Sequence, residues 1–451
     1  MRRAGEGFSI SPNGYLAALS LIFAYAVFQS GGIVAADWDR CMVGLGLLVL
    51  VYFRFTSKDD LAPPLQWWLR WPPLLLIGFI ALQLVPLPIW FLRSVSPARA
   101  ALLQSLDQVL PGTRSATISV FPSATLAHLL RVAAYIVVFV LTRELAWRTL
   151  ERRWLITAPI VIIAGADAVL GVLQYSPGSV AHGTYVNRNH FAGLLELALP
   201  FAIVYPIATA MTRRSQSFRQ AVLVSISLAL AMLMLLGIIL SLSRTGFVAS
   251  LSSLFVIGFL TLSARASLSR RFAVAALVAA ALVATSLYIA PDPLVSRFAE
   301  VGGAPADITP DSRTRVWKDT WALVRDYPLA GCGLGAFGQA FPRYRTFLPE
   351  LAVDTVHNDY LQFLAELGAI GFAIAAFGVI IVLLSAADGA FRNADASSRY
   401  IAIASLAALV AILIHSFTDY NLYIPANAML LAWIAGIVAS LNFGSKELFT
   451  T

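Results

Sequence analysis

Apolar runs of about 18 residues or more, the length a helix needs to cross a bilayer, recur along this chain from end to end. Twelve spans can be read: 15–35, 41–55, 73–92, 125–142, 154–173, 191–210, 221–241, 246–263, 272–290, 361–384, 400–416 and 425–442. The second is short and the third carries Pro72, Pro73, Pro86 and Pro88, so the ends of these two are the least defined. Composition agrees, with 59% hydrophobic and 12% charged residues and a mean hydropathy of +0.77. Soluble domains hold roughly 45–50% apolar and about 25% charged residues. A membrane β-barrel would alternate apolar and polar residues along its strands, and these runs do not. The expectation is an all-α integral membrane protein with about 12 transmembrane helices.

Charge sets an expected orientation. The start MRRAGEGF has the charge of a signal-peptide n-region. The apolar run behind it is too long, however, and Ser30-Gly31-Gly32 is a poor cleavage site, so the first span reads as an uncleaved anchor. Cations cluster at alternate span ends: Arg2/Arg3, Arg54/Lys58/Arg70, Arg143/Arg148/Arg152/Arg153, Arg213/Arg214/Arg219, Arg265/Arg270/Arg271, Arg392/Arg399 and Lys446. With twelve spans all of them fall on one face, which the positive-inside rule makes cytoplasmic together with both termini. The net charge of +8 is then a topology signal and gives no ground for a nucleic-acid partner. Cys41 and Cys332 both fall near the outer face, either as a disulfide or as two small buried residues.

Three regions follow: 1–290 with the first nine spans and short loops, a long outer connection 291–360, and 361–451 with the last three spans and a short tail. A second outer connection covers about 93–124. The inner loops leave no room for a nucleotide-binding domain and no GxxxxGK[ST] is present, which argues against ATP-driven transport by this chain. No internal repeat is visible, against the common transporter plans. The 291–360 connection holds Arg297, Arg313, Arg315, Lys318, Arg325, Arg343 and Arg345 beside nine acidic residues. Within it Asp311 to Tyr327 has helical character, with Val316, Ala322 and Leu323 beside Trp317 and Trp321. Tyr327-Pro328 ends that helix, and GCGLGAFG makes a turn region.

Chemistry has few places to sit. Arg188, in YVNRNHFAG, precedes the sixth span, and Arg244, in SLSRTGF, lies in a tight turn between the seventh and eighth. Two fixed guanidinium groups on one face suit a phosphate or pyrophosphate. The structural alternative is snorkelling, or an ion pair with Glu196 or Asp419. Of the five histidines, His128 shares a helix with Arg131, His182 and His190 flank the NRN segment, and His415 lies near the end of the eleventh span. No HxxxH or HExxH pattern is present, and zinc is not expected. His357 opens the polar run His357-Asn358-Asp359-Tyr360 at the mouth of the tenth span. A neutral imidazole there can act as a general base or simply bond the loop. Asn358, Gln362 and Glu366 form a polar stripe below it, and Gly368 and Gly371 read as close-packing positions. Asp37 and Asp39, in the first outer loop, are either a divalent-cation pair or a solvated turn.

HNDYLQFLAELGAIG, from His357 to Gly371, resembles the O-antigen ligase pattern of His, then Asn/Ser/Gln, nine residues, Gly, two residues, Gly. Arg325 and Leu329 in RDYPL fit the arginine–three–leucine element that belongs with it, and the NRNHFAG and SLSRTG turns look similar too. The resemblance covers roughly residues 150–440 and is shared by ligases, polysaccharide polymerases and protein O-oligosaccharyltransferases. Some family patterns have Thr where Phe372 stands. The resemblance implies a GT-C-like glycosyltransferase of the bacterial inner membrane, working on its periplasmic face without metal or other cofactor. It implies an undecaprenyl-pyrophosphate-linked glycan as donor and a lipid A-core or another glycan as acceptor. His357 would be the catalytic base, and Arg188 and Arg244 the pyrophosphate ligands. Candidate substrate contacts are Arg313, Arg315, Arg325, Asn187, Asn358, Asp359 and Tyr360, and Trp317 and Trp321 are candidate sugar-stacking surfaces. Three other readings stay open: a polymerase, a lipid-linked glycan flippase, and a metal-dependent glycosyltransferase using Asp37 and Asp39.

Overall fold

The computed structural model describes residues 10–106, 114–176, 179–212, 217–263, 310–347 and 353–441. The expected span at 272–290, Arg297, and the cation groups Arg2/Arg3, Arg213/Arg214, Arg265/Arg270/Arg271 and Lys446 lie outside these residues. The described chain is helical: α1 Pro12–Phe28, α2 Ala35–Phe55, α3 Trp67–Gln83, α4 Ile89–Val95, α5 Pro97–Leu106, α6 Pro122–Arg148, α7 Ala158–Gln174, α8 Arg188–Thr212, α9 Phe218–Leu240, α10 Arg244–Ser263, α11 Pro310–Asp326, α12 Phe337–Ala340, α13 Asp359–Arg392, α14 Ala396–His415 and α15 Pro425–Leu441. A two-residue antiparallel pair, Leu87–Pro88 with Ser115–Ala116, closes the α4–α5 excursion.

Seven helices among the described residues are long and apolar enough to cross a membrane: Pro122–Arg148, Leu150–Gln174, Arg188–Thr212, Phe218–Leu240, Arg244–Thr261, Asp359–Arg392 and Ala396–His415. Helices also occupy the other four expected spans within the described residues, and three differ in extent, the second starting at Ala35 instead of residue 41. The first ends at Phe28 instead of running to residue 35, because Ser30, Gly31 and Gly32 take positive φ and turn the chain. The third runs Trp67–Gln83 instead of 73–92. Pro72 and Pro73 lie inside it, while Pro86 and Pro88, which lack the amide a helix needs, follow its end. Cys41 and Cys332 are both free and buried, so they form no disulfide.

The bundle has two chemically distinct ends. At one, Arg148 reaches Asp60 at 3.8 Å, Arg153 reaches Asp395 at 3.3 Å, and the Ala62 amide donates to Glu144. The expected inner loops therefore meet each other. The candidate site residues collect at the opposite end, where α8, α10, α13 and α15 begin and α14 finishes.

A backbone seam near residue 368 carries the outer layer. Gly368 has φ +63° inside α13, so the first turns of the helix are broken from the remainder. A break frees amides and carbonyls that lipid cannot satisfy. Here the segment after α11 takes them up. Ala369 and Ile370 donate to the Pro328 and Leu329 carbonyls, and Cys332 and Gly333 donate to the Ala365 and Glu366 carbonyls. Gln83 Nε2 bridges the Ala330 and Glu366 carbonyls at 2.7 and 2.9 Å. The RDYPL element and the GAIG element thus belong together because their backbones dock on one another. The expectation for the two glycines divides accordingly. Gly371 admits Phe79 of α3, a helix contact, whereas a Cβ at Gly368 would strike the Leu329 backbone. Gly368→Ala should cost about 1–3 kcal/mol through the positive φ alone and more through that clash. A thermal unfolding midpoint several degrees below wild type in detergent checks this.

Candidate functional site

His357 sits in the last loop residues before α13 with φ +54°, a conformation that is rare for a residue with a bulky side chain. The neighbouring residue holds it there. The Val356 carbonyl accepts from Trp317 Nε1 at 3.0 Å, and the Val356 amide donates to Gln362 Oε1 at 2.8 Å. Strain persists where surrounding contacts over-determine it, and both peptide groups of Val356 are fixed. Trp317 is therefore a clamp on the histidine loop, whereas Trp321 is exposed. The polar stripe continues beneath: Gln362 Nε2 donates to Glu366, which also accepts from the Gly335 and Phe337 amides and the Tyr423 hydroxyl.

The imidazole meets a carboxylate that sequence spacing did not reveal. His357 Nδ1 and His190 Nε2 each lie 3.5 Å from Asp419 Oδ1, at the outer limit of a hydrogen bond. Tyr420 packs edge-on against both rings, with centroids 4.6 Å from His190 and 4.9 Å from His357. Asp419 is 1% exposed and His190 fully buried, while His357 keeps 8% of its surface. Nδ1 faces the carboxylate, which leaves Nε2 as the nitrogen able to meet a substrate. Burial pushes the Asp419 carboxyl up. Hydrogen bonding and charge from His190 and His357 outweigh it and hold the group well below the usual carboxylate range.

The segment Ser416–Asn421 draws the remaining groups together. Arg313 donates through a terminal guanidinium nitrogen to the Thr418 carbonyl at 3.1 Å, and its Nε is buried without a hydrogen-bond partner. Thr245, next to Arg244, shares a 2.6 Å hydroxyl contact with Thr418. Arg188 and Arg244 are the first residues of α8 and α10, where helix termini favour anions. The two termini approach closely because residue 246 is glycine: a Cβ there would lie 2.7 Å from that of Ala192. Arg188 is half-buried and Arg244 exposed. The suggested ion-pair partners are occupied by histidines instead. Glu196 bonds His415 at 2.9–3.0 Å inside the bundle, and Asp419 has His190 and His357.

Several of the expected substrate contacts also bond within the protein. Asn358 caps α13 by accepting from the Leu361 amide, and Tyr360 donates to the Leu413 carbonyl at 2.6 Å. Asp359 is fully buried. Its carboxylate accepts from Ser416 Oγ at 2.8 Å and the Leu422 amide at 3.2 Å, and its own amide donates to the Ser416 and Asp419 carbonyls. Asn187 directly precedes α8, its side chain accepting from the Asn189 amide and its carbonyl from the His190 and Phe191 amides. Arg315 and Arg325 are exposed on α11, and among the described residues no hydrogen bond joins them to Ser416–Asn421. Asp37 Oδ1 accepts from Tyr25 and pairs with Arg40.

Residues 229–376, about a third of the chain, match the family model described as O-Antigen ligase. The match contains His357, Arg244 and Arg313, whereas Arg188, His190 and Asp419 fall outside it. No curated protein matches the chain.

Asp419→Asn removes the charge shared by two imidazoles at nearly constant shape. Leaving a buried polar group without its partner costs about 1–3 kcal/mol, so this variant should unfold a few degrees below wild type. A depressed carboxyl stabilises fully above its unfolded value near 3.9 and loses that contribution as pH falls through the folded value. The difference from wild type should therefore persist down to about pH 5. Thermal scans across that range check it.

Proposed function

We propose, because this chain belongs to the O-antigen ligase superfamily and from the geometry around His357, that it is an inverting glycosyltransferase. It moves a glycan from undecaprenyl pyrophosphate to a sugar hydroxyl, on the periplasmic face of the bacterial inner membrane. A layout of about twelve spans with both termini cytoplasmic accompanies this reading. The observation that carries it is the strained, partly accessible His357, backed by buried Asp419 at the meeting point of two arginine-led helix termini.

The steps follow from the chemistry of the bond exchanged. The acceptor oxygen attacks the anomeric carbon, the bond from that carbon to the phosphate oxygen breaks, and undecaprenyl pyrophosphate leaves. His357 takes the hydroxyl proton on Nε2, and Asp419 opposite Nδ1 stabilises the imidazolium that forms. Negative charge grows on the leaving oxygen. Arg188 and Arg244, with the partial positive charge of α8 and α10, neutralise it, and Arg313 lies beside the same segment. In-line displacement inverts the anomeric centre. The residues supply charge stabilisation without a metal.

A ligase acting on lipid A-core is the first reading, and a polymerase extending another lipid-linked glycan uses the same groups. A flippase fits less well, because its arginines would line a central cavity on several helices. Here Arg188 and Arg244 head helices at one end, and Arg313 lies on a loop helix. Reconstitution with lipid-linked glycan, with and without lipid A-core, separates the readings. Extension of lipid A-core marks a ligase, growth of the lipid-linked chain a polymerase, and movement without a new bond overturns both. Arg188→Ala and Arg244→Ala should each lower kcat by about 10²–10³-fold, measured as product formed per enzyme.

A further inference from the structure

A cavity lies apart from the helices that carry Arg188 and Arg244. An apolar cavity of about 330 Å³ runs between α3, α6, α13, α14 and α15. Its wall includes Leu69 and Ile80 of α3 and Leu367 and Val382 of α13, and none of its lining residues belongs to α8, α10 or α11. Leu69 to Ile80 is about 16 Å of helix at 1.5 Å per residue, so the cavity is long enough for an extended hydrocarbon chain.

One end of it is charged. His128, Arg131 and Tyr423 line this cavity and also a second one of about 220 Å³ directly adjoining. Arg131 has no ion pair among the described residues, although it stands on an apolar helix where a lone cation is costly. Two carboxylates share the second cavity: Glu366 is already taken by Gly335, Phe337, Gln362 and Tyr423, and Asp354 is exposed and forms no ion pair with Arg131 among the described residues. Asp354, Thr355, Gln362 and Tyr420 line the second cavity beside the apolar side chains of Ile33, Ile424 and Pro425. Tyr420 is the residue whose ring packs on His357.

We infer that this pair of cavities seats an anionic lipid that carries the acceptor glycan. The chain lies in the apolar cavity, the phosphate on Arg131, and the attached sugar among the polar groups that lead to His357. The assignment of this lipid as the acceptor rests on the transferase reading above. The pyrophosphate-linked donor then approaches from the α8–α10 side, so two lipids flank Tyr420 and meet at one base.

The test uses the full chain in nanodiscs containing a trace of phosphatidic acid with a photoactivatable chain, and in parallel phosphatidylcholine bearing the same chain. Phosphatidic acid should label α3 and α13 peptides several-fold more than phosphatidylcholine does. Arg131→Leu should abolish that preference, Arg131→Lys should keep it, and the cavity-filling Ala375→Phe should reduce labelling by both. In transfer assays Arg131→Leu should raise KM for a lipid-borne acceptor by about tenfold or more and leave donor KM unchanged. Equal labelling by the two probes, meaning boundary lipid only, overturns the site, and so does a rise in donor KM instead. Labelling needs no turnover. A chain that labels as expected but forms no glycosidic bond overturns the proposed function and leaves the lipid site standing.

Discussion

A carboxyl group buried at the end of a membrane bundle needs donors or opposite charge around it, and Asp359 and Asp419 each find theirs on one oxygen. Asp359 binds Ser416 and Leu422 and fixes the segment between them. Within that segment Asp419 faces His190 and His357, and Thr418 meets Arg313 and Thr245. Four separate stretches of chain are thereby referred to one short turn. The strained backbone of His357 makes sense only in this setting, because Trp317 and Gln362 hold it from the other side.

Much of the fold was legible because a bilayer leaves few choices. Lipid offers no hydrogen bonds, so long apolar runs become helices whatever their neighbours. The ends were harder to read. Glycines at 31 and 32 turned the chain inside a run that looked continuous, and the third helix began six residues early, at Trp67. The break at Gly368 was hidden for the same reason: Leu-Gly-Ala-Ile is apolar on both sides of it. Only its docking on Pro328–Gly333 reveals that the first turns of α13 belong to the outer layer.

The site was legible in part, through local motifs. His357 stood out by its polar neighbours and its resemblance to a family pattern, and Arg188 and Arg244 by their position at helix starts. Asn358, Asp359 and Tyr360 shared that prominence, yet they serve as a cap, a clamp and a backbone anchor. Asp419, Tyr420 and His190 were missed as a unit. Their signal is three-dimensional: a carboxylate between two histidines drawn from stretches far apart in sequence. The one sequence clue was a polar run, TDYN, interrupting the apolar stretch between α14 and α15.

In the proposed reaction His357 accepts a proton at the junction of two substrates. The most direct measurement is single-turnover transfer from a lipid-linked glycan by reconstituted His357→Ala, with donor binding measured on the same preparation. Donor binding should stay close to wild type and the transfer rate should fall by about 10²–10⁴-fold, the usual contribution of a general base. Transfer at the wild-type rate by a variant that folds and binds donor would contradict that role.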